Sequence, residues 1–312
     1  MRKWIFFLLF FVLLALVFFY FTEIKQLVKL VQEMHPGWLL AALALQFGTY
    51  LLLALVWWWA LWWVNECAGY LSLVLLSISQ LFVNQTVPSS GLSGAVVVTN
   101  FLKARKISKK AIGLAIALNV FGRQIAFTLT FVAAVIILWI YRSPDLTYQI
   151  LGILFALLML VVTGLFVYLW KLAADAKLPE FLKRFSAIET LFSSIRTIKP
   201  SVLLKLQIVG PGVLLFIGIV IFDSLTLWVI LYGFNVETNF LPVFAVQVLT
   251  TVLASISLIP GGLGVFEGGL VGMLHLIGLP FDVSFAATLL FRGFTYWLPM
   301  LPGFLITHKQ QK

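Results

Sequence analysis

Acidic residues are scarce in this sequence: 11 Asp and Glu stand against 21 Lys and Arg, and only 10% of the 312 residues are charged. A soluble domain of this length carries about a quarter charged residues. With 62% hydrophobic residues and a mean hydropathy of +1.09, the deficit excludes a soluble enzyme and a disordered chain. Cysteine is nearly missing as well, and the lone Cys67 excludes an intramolecular disulfide and any cysteine-built metal site. No G-x-x-x-x-G-K-[ST], H-E-x-x-H or G-x-S-x-G pattern occurs, and His35, His275 and His308 are dispersed. No catalytic residue, cofactor or metal ligand is therefore assigned. The one sizeable polar loop, Lys171–Lys205, falls short of the roughly 50 residues a separate domain needs.

What is present is a series of long apolar runs, and they read as an all-α polytopic membrane protein. Trp4 to Thr22 is uncharged, follows Arg2 and Lys3, and ends without a small-residue cleavage site. That is a retained first helix rather than a signal peptide. A mixed stretch with Glu23, Lys25, Lys29, Glu33 and His35 reads as an external interfacial helix. Trp38 to Trp63 returns inward and ends in Trp57, Trp58, Trp59, Trp62 and Trp63, an aromatic belt at headgroup level.

Leu71–Leu102 is long enough to cross but is broken by Pro88-Ser89-Ser90-Gly91, and Lys103, Arg105, Lys106, Lys109 and Lys110 follow it. A crossing would strand those cations outside, against the positive-inside bias. A re-entrant hairpin keeps them inside. Ala111–Tyr141 then runs outward and Gln149–Trp170 inward, joined by a short turn at Arg142, Pro144 and Asp145. Lys171–Lys205 forms an amphipathic inner-surface linker, with Phe181, Phe185, Ile188 and Phe192 at helical spacing after Pro179. Leu206–Phe234 goes outward, kinked near Pro211. Pro242–Leu279 is broken at Pro260-Gly261-Gly262-Leu263-Gly264 and turns back from outside, before Phe285–Ile306 ends the chain near His308 and Lys309.

The expected architecture is about six full spans plus two re-entrant broken hairpins, both termini cytoplasmic. It is one membrane domain over residues 1–312, with a first repeat of about 38–141, a second of about 206–306 and the linker 171–205. Sixteen of the 21 Lys and Arg then lie inside. The +10 charge is thus an orientation signal that suits anionic inner-leaflet lipids and implies no nucleic acid. The hairpins enter from opposite sides, and each Gly-rich break is followed some 30 residues later by an Arg in the next span, Arg123 and Arg292. That is an inverted repeat, an arrangement found in transporters.

Four ionisable residues lie inside apolar segments: Arg123, Asp223, Glu267 and Arg292. Each costs about 2.5–3.5 kcal/mol at the bilayer centre on insertion scales, so each needs a partner or a polar cavity. One reading is two structural ion pairs, Glu267–Arg292 being the simplest. The other is a substrate cavity at the hairpin tips, where Arg123, Arg292 and helix N-termini attract a lipid phosphate while Glu267 and Asp223 counter them or carry protons. Ser89, Ser90, Gly91, Ser93, Gly261, Gly262 and Gly264 would form the tips, with Asn84, Gln85, Asn119 and Gln124 adding amides.

The run Ile259-Pro260-Gly261-Gly262-Leu263-Gly264-Val265-Phe266-Glu267, then Gly278, Leu289-Leu290-Phe291-Arg292, Leu298-Pro299 and Pro302-Gly303, resembles the end of the flippase-like membrane domain of lysylphosphatidylglycerol synthases, the multiple peptide resistance factor family. Pro88–Lys110 with Arg123 resembles an earlier region of it. The resemblance implies a bacterial or archaeal cytoplasmic-membrane protein that translocates a phospholipid or lipid-linked molecule. In the full-length synthases a separate soluble domain carries the synthase activity; this sequence is expected to be a stand-alone membrane domain without room for it, so that activity is not carried over. Many such relatives carry an acid and an Arg where this chain has Ala95-Val96-Val97-Val98, and an acid beside the position of Arg123, where Gly122 and Gln124 are neutral. An aminoacyl-lipid substrate is not carried over either. Three functions stay open: a lipid flippase or scramblase in the lead, an intramembrane lipid-modifying enzyme using Glu267, and a non-catalytic membrane subunit. A homo-oligomer also stays open.

Overall fold

The computed structural model describes residues 34–86, 92–142, 205–257 and 259–310, with scattered positions at 29–32 and between 153 and 168. The expected spans Trp4–Thr22 and Gln149–Trp170, the turn at Pro144, the tip Ser89-Ser90-Gly91 and nearly all of the linker 171–205 lie outside the described residues. Within them every element is helical. The first half comprises α1 (Pro36–Trp63), α2 (Tyr70–Thr86), α3 (Leu92–Ala104) and α4 (Lys109–Arg142). The second comprises α5 (Leu206–Gly233), α6 (Phe240–Ile256), α7 (Val265–Leu276), α8 (Phe281–Arg292) and α9 (Leu298–Gln310). A tight turn, Pro260–Gly262, separates α6 from α7, and a π-helical segment, Gly293–Trp297, joins α8 to α9.

Helices α1, α4, α5 and the α8–α9 rod are each long and apolar enough to cross a bilayer. The remaining four, of 12 to 17 residues, reach at most about 26 Å at 1.5 Å per residue, short of the roughly 30 Å hydrocarbon core. Instead α2 packs back on α3, and α6 on α7. The chain is a polytopic α-helical membrane protein.

Two contacts establish that the hairpins return to the side they entered. The loop between α1 and α2 places Glu66 Oε1 3.3 Å from the Ser108 amide, which lies just before α4. Loops on opposite faces of a bilayer could not meet. On the second hairpin, Phe234 before α6 and Leu279 after α7 share one buried cluster. The two hairpins also sit at opposite ends of the molecule. The end of α1, the start of α5 and the α3–α4 junction share one core (Trp57, Leu61, Val209, Val213, Ile107). The start of α1, the end of α5 and the α7–α8 junction share another (Ala42, Leu227, Leu274, Val283). Helices α1 and α5 therefore run antiparallel, and the repeat is inverted.

Packing is reciprocal between the halves. Helix α1 lies along α5, α2 lies on α9, and α6 lies on α4, so each hairpin leans on the closing span of the other half. Small residues permit these approaches, as expected where apolar lipid gives no driving force and close packing must hold helices together. A Cβ on Gly303 of α9 would come within 2.4 Å of Phe82 Cβ on α2, and one on Gly212 of α5 within 2.8 Å of the Trp59 ring.

The last span differs from a uniform helix over Phe285–Ile306. It starts at Phe281, and its α-helical ladder breaks after Arg292. The Leu298 amide bonds to the Gly293 carbonyl, five residues back, which leaves the Phe294 carbonyl without its usual donor. Pro299 has no N–H to offer the Thr295 carbonyl. Both orphaned oxygens are caught by first-half side chains: the Tyr50 hydroxyl donates to Phe294 O at 2.7 Å, and Gln85 Nε2 donates to Thr295 O at 3.3 Å. The break is thus a joint between the two halves.

Candidate functional site: a polar cavity between the hairpins

A cavity of about 690 Å³ opens where α1, α2, α4, α5, α6 and the second hairpin tip converge. Arg123, Asp223, Arg292, Gly261 and Gly262 line it, with Asn84 and Gln85 from α2. Seven of the residues singled out in the sequence therefore share one chamber. Glu267 and Gly264 stand behind Arg292 rather than on the wall, and Ser93, Asn119 and Gln124 are not among the lining residues. Ser89, Ser90 and Gly91 lie outside the described residues.

The four intramembrane charges divide unequally. Arg292, 7% exposed, is held at two points: Nε donates to Glu267 Oε1 at 2.6 Å and Nη2 to the Gly261 carbonyl at 2.8 Å. Its guanidinium also lies 4.7 Å from the centre of the Phe266 ring and 4.4 Å from that of Tyr296. The second Glu267 oxygen accepts from the Gly264 amide at 2.6 Å, closing the N-terminus of α7. The protein's own carboxylate thus sits at the positive end of the α7 dipole. Gly261 must be glycine twice over, with φ of 61° and a Cβ that would fall 2.3 Å from the Tyr296 ring.

Arg123 and Asp223 form no such pair. Asp223 Oδ1 accepts from Thr49 Oγ1 at 3.2 Å across the α1–α5 contact. Arg123, half-buried on α4, makes no hydrogen bond or ion pair with a described residue. Of the two structural pairs weighed from the sequence, one exists and the other is an open cation and anion on one cavity wall. The first tip is capped by an amide instead of an acid: Asn84 Oδ1 accepts from the Gly94 amide at 3.1 Å.

Sequence reasoning passed over the rest of the polar lining. Gln46, Thr49 and Tyr50 on α1 recur at three- and four-residue steps, and Gln247, Thr251 and Ser255 on α6 at steps of four. Polar residues at helical spacing within an apolar span were the available signal. Two acceptors on lining residues, Gln46 Oε1 and Gln85 Oε1, are buried and have no donor among the described residues. His275, by contrast, lies away from the cavity, and its Nδ1 meets the Leu279 carbonyl at 2.9 Å.

Membrane-length helices, two opposed re-entrant hairpins and a charged chamber between them define a polytopic membrane protein built around an intramembrane cavity. Residues 4–303 match the family described as Lysylphosphatidylglycerol synthase TM region, and the chain belongs to that family. It is similar to a UPF0104 membrane protein of Methanocaldococcus jannaschii, with 21% identity over 302 residues covering 91% of this chain and 88% of the relative. A UPF0104 membrane protein of Methanothermobacter thermautotrophicus is 25% identical over 289 residues, covering 86% and 83%. A third, from Pyrococcus horikoshii, matches over 90 residues at 29% identity, covering 29% of this chain and 27% of the relative.

Proposed function

We propose that the protein is a flippase or scramblase that moves a phospholipid or lipid-linked molecule across the cytoplasmic membrane of a bacterium or archaeon. The single observation that carries this reading is the cavity between the inverted hairpins, with Arg123 and Asp223 on its wall and apolar residues such as Leu53, Phe127 and Phe216 around them. Such a chamber suits an amphiphile, with the headgroup at the charges and the chains along the apolar side. Arg123 would meet the phosphate, while Arg292 and Glu267 would hold the second tip in place. The chain acts as a transporter and not as an enzyme, since both Glu267 oxygens are already engaged and neither is poised for acid–base work. Both termini lie in the cytoplasm, and the exposed cations Arg105, Lys106, Lys109 and Lys110 face anionic inner-leaflet headgroups.

Reconstitution into liposomes tests the proposal. Phospholipids labelled on an acyl chain are followed between leaflets with a membrane-impermeant quencher. Loaded vesicles are expected to equilibrate the label faster than empty ones, and Arg123→Ala is expected to slow this at least tenfold. Equal rates in empty and loaded vesicles would overturn the reading for the lipids used.

A further inference from the structure

The chamber carries one uncompensated charge of each sign, and that balance constrains what fits it. Arg123 lacks a partner among the described residues, whereas Asp223 is met by neutral groups, the Thr49 hydroxyl and the Gln46 side chain. A simple anion would satisfy Arg123 and meet repulsion from Asp223, and a simple cation would do the reverse. Arg292 adds no net charge because Glu267 cancels it at 2.6 Å.

We propose that the site takes a zwitterionic headgroup bearing a phosphate and a primary ammonium, with the phosphate at Arg123 and the ammonium at Asp223. This deepens the transport reading above and rests on it. A primary ammonium brings both a charge and N–H donors to a carboxylate. A quaternary ammonium brings the charge and no donor. A glycerol headgroup brings hydroxyl donors and leaves Asp223 without a counter-charge. The same pair of groups occurs in phosphatidylethanolamine and in free phosphoethanolamine. The apolar lining beside the charges, Leu53, Phe127 and Phe216, favours the lipid.

The experiment uses delipidated full-length protein in detergent, with short-chain phosphatidylethanolamine, phosphatidylcholine and phosphatidylglycerol of matched acyl length, and free phosphoethanolamine. Binding is read by native mass spectrometry and by the shift in thermal unfolding. Phosphatidylethanolamine is expected to bind roughly tenfold more tightly than the other two lipids, as one or two charge-assisted hydrogen bonds allow. Asp223→Asn, which keeps the shape of the side chain, should weaken phosphatidylethanolamine far more than phosphatidylcholine and so remove most of the preference. Arg123→Gln should weaken all three lipids, and Arg123→Lys should restore most of the binding. Equal binding of the three lipids by the wild-type protein would overturn the proposal, as would an Asp223→Asn variant that keeps the preference. Phosphoethanolamine binding as tightly as the lipid would overturn the assignment to a lipid. The liposome assay with the same lipids separates the two readings. Headgroup-blind transport overturns the headgroup proposal alone, and headgroup-selective binding without transport overturns the transport reading alone.

Discussion

Glu267 has one oxygen on Arg292 and the other on the Gly264 amide just before α7, so a single side chain ties the Gly-rich tip, the α7 terminus and α8 together. Removing its charge leaves a guanidinium that is only 7% exposed without a counter-ion. Glu267→Gln is expected to destabilise the protein by about 3–5 kcal/mol, the range for breaking one side of a buried pair. Equilibrium unfolding in a detergent titration checks this. The double variant Glu267→Leu with Arg292→Met removes both charges and is expected to lose less than the single variant. A double variant worse than the single would mean that Arg292 acts mainly through the Gly261 carbonyl and the two rings.

Among the helices, packing density differs sharply from one glycine to the next. Gly303 lets α9 close on α2, with Phe82 Cβ and the Ile78 carbonyl immediately opposite. Gly272 in the middle of α7 has nothing within 4 Å. Gly303→Val is expected to force α9 away from α2 and to cost upwards of about 2 kcal/mol, in line with overpacked interiors. Gly272→Ala is expected to stabilise by about 0.4–1 kcal/mol through helix propensity and unfolded-state entropy. Thermal unfolding of the two variants beside the parent gives both signs in one measurement. The π-helical segment explains itself at this scale too. Pro299 and the displaced Leu298 bond free two carbonyls, and only the other half of the molecule supplies donors for them.

For the whole molecule, orientation in the bilayer is the testable quantity, and the single cysteine makes it accessible. Cys67 is exposed in the loop between α1 and α2, on the face that also carries Lys106 and Lys109 through the Glu66–Ser108 contact. In the orientation proposed above, the basic cluster puts that face in the cytoplasm. Cys67 is therefore expected to resist a membrane-impermeant maleimide in intact cells and to react once the membrane is opened. A Cys67→Ser variant with Glu237→Cys, in the exposed loop before α6 at the opposite end, is expected to react from outside. The reverse pattern would invert the topology and move the basic face outward.

Hydropathy and charge alone determined that the chain lives in a membrane, where it breaks, and that the two breaks face opposite ways. Those properties depend on order along the chain: a Pro-Gly interruption, or five cations after Leu102, reads the same in one dimension as in three. The partition of the four buried charges was a matter for the tertiary structure. Glu267 and Arg292 lie on different helices, and whether they meet depends on how α7 and α8 are rotated and how far the tip folds back. The same holds for Arg123 and Asp223, which share a cavity without sharing a bond. The stripe of Gln46, Thr49 and Tyr50 was present as spacing but had no direction until α1 packed on α5. Sequence supplies the charges and their depth, whereas azimuth and helix contact decide which are neutralised and which stay open to a ligand.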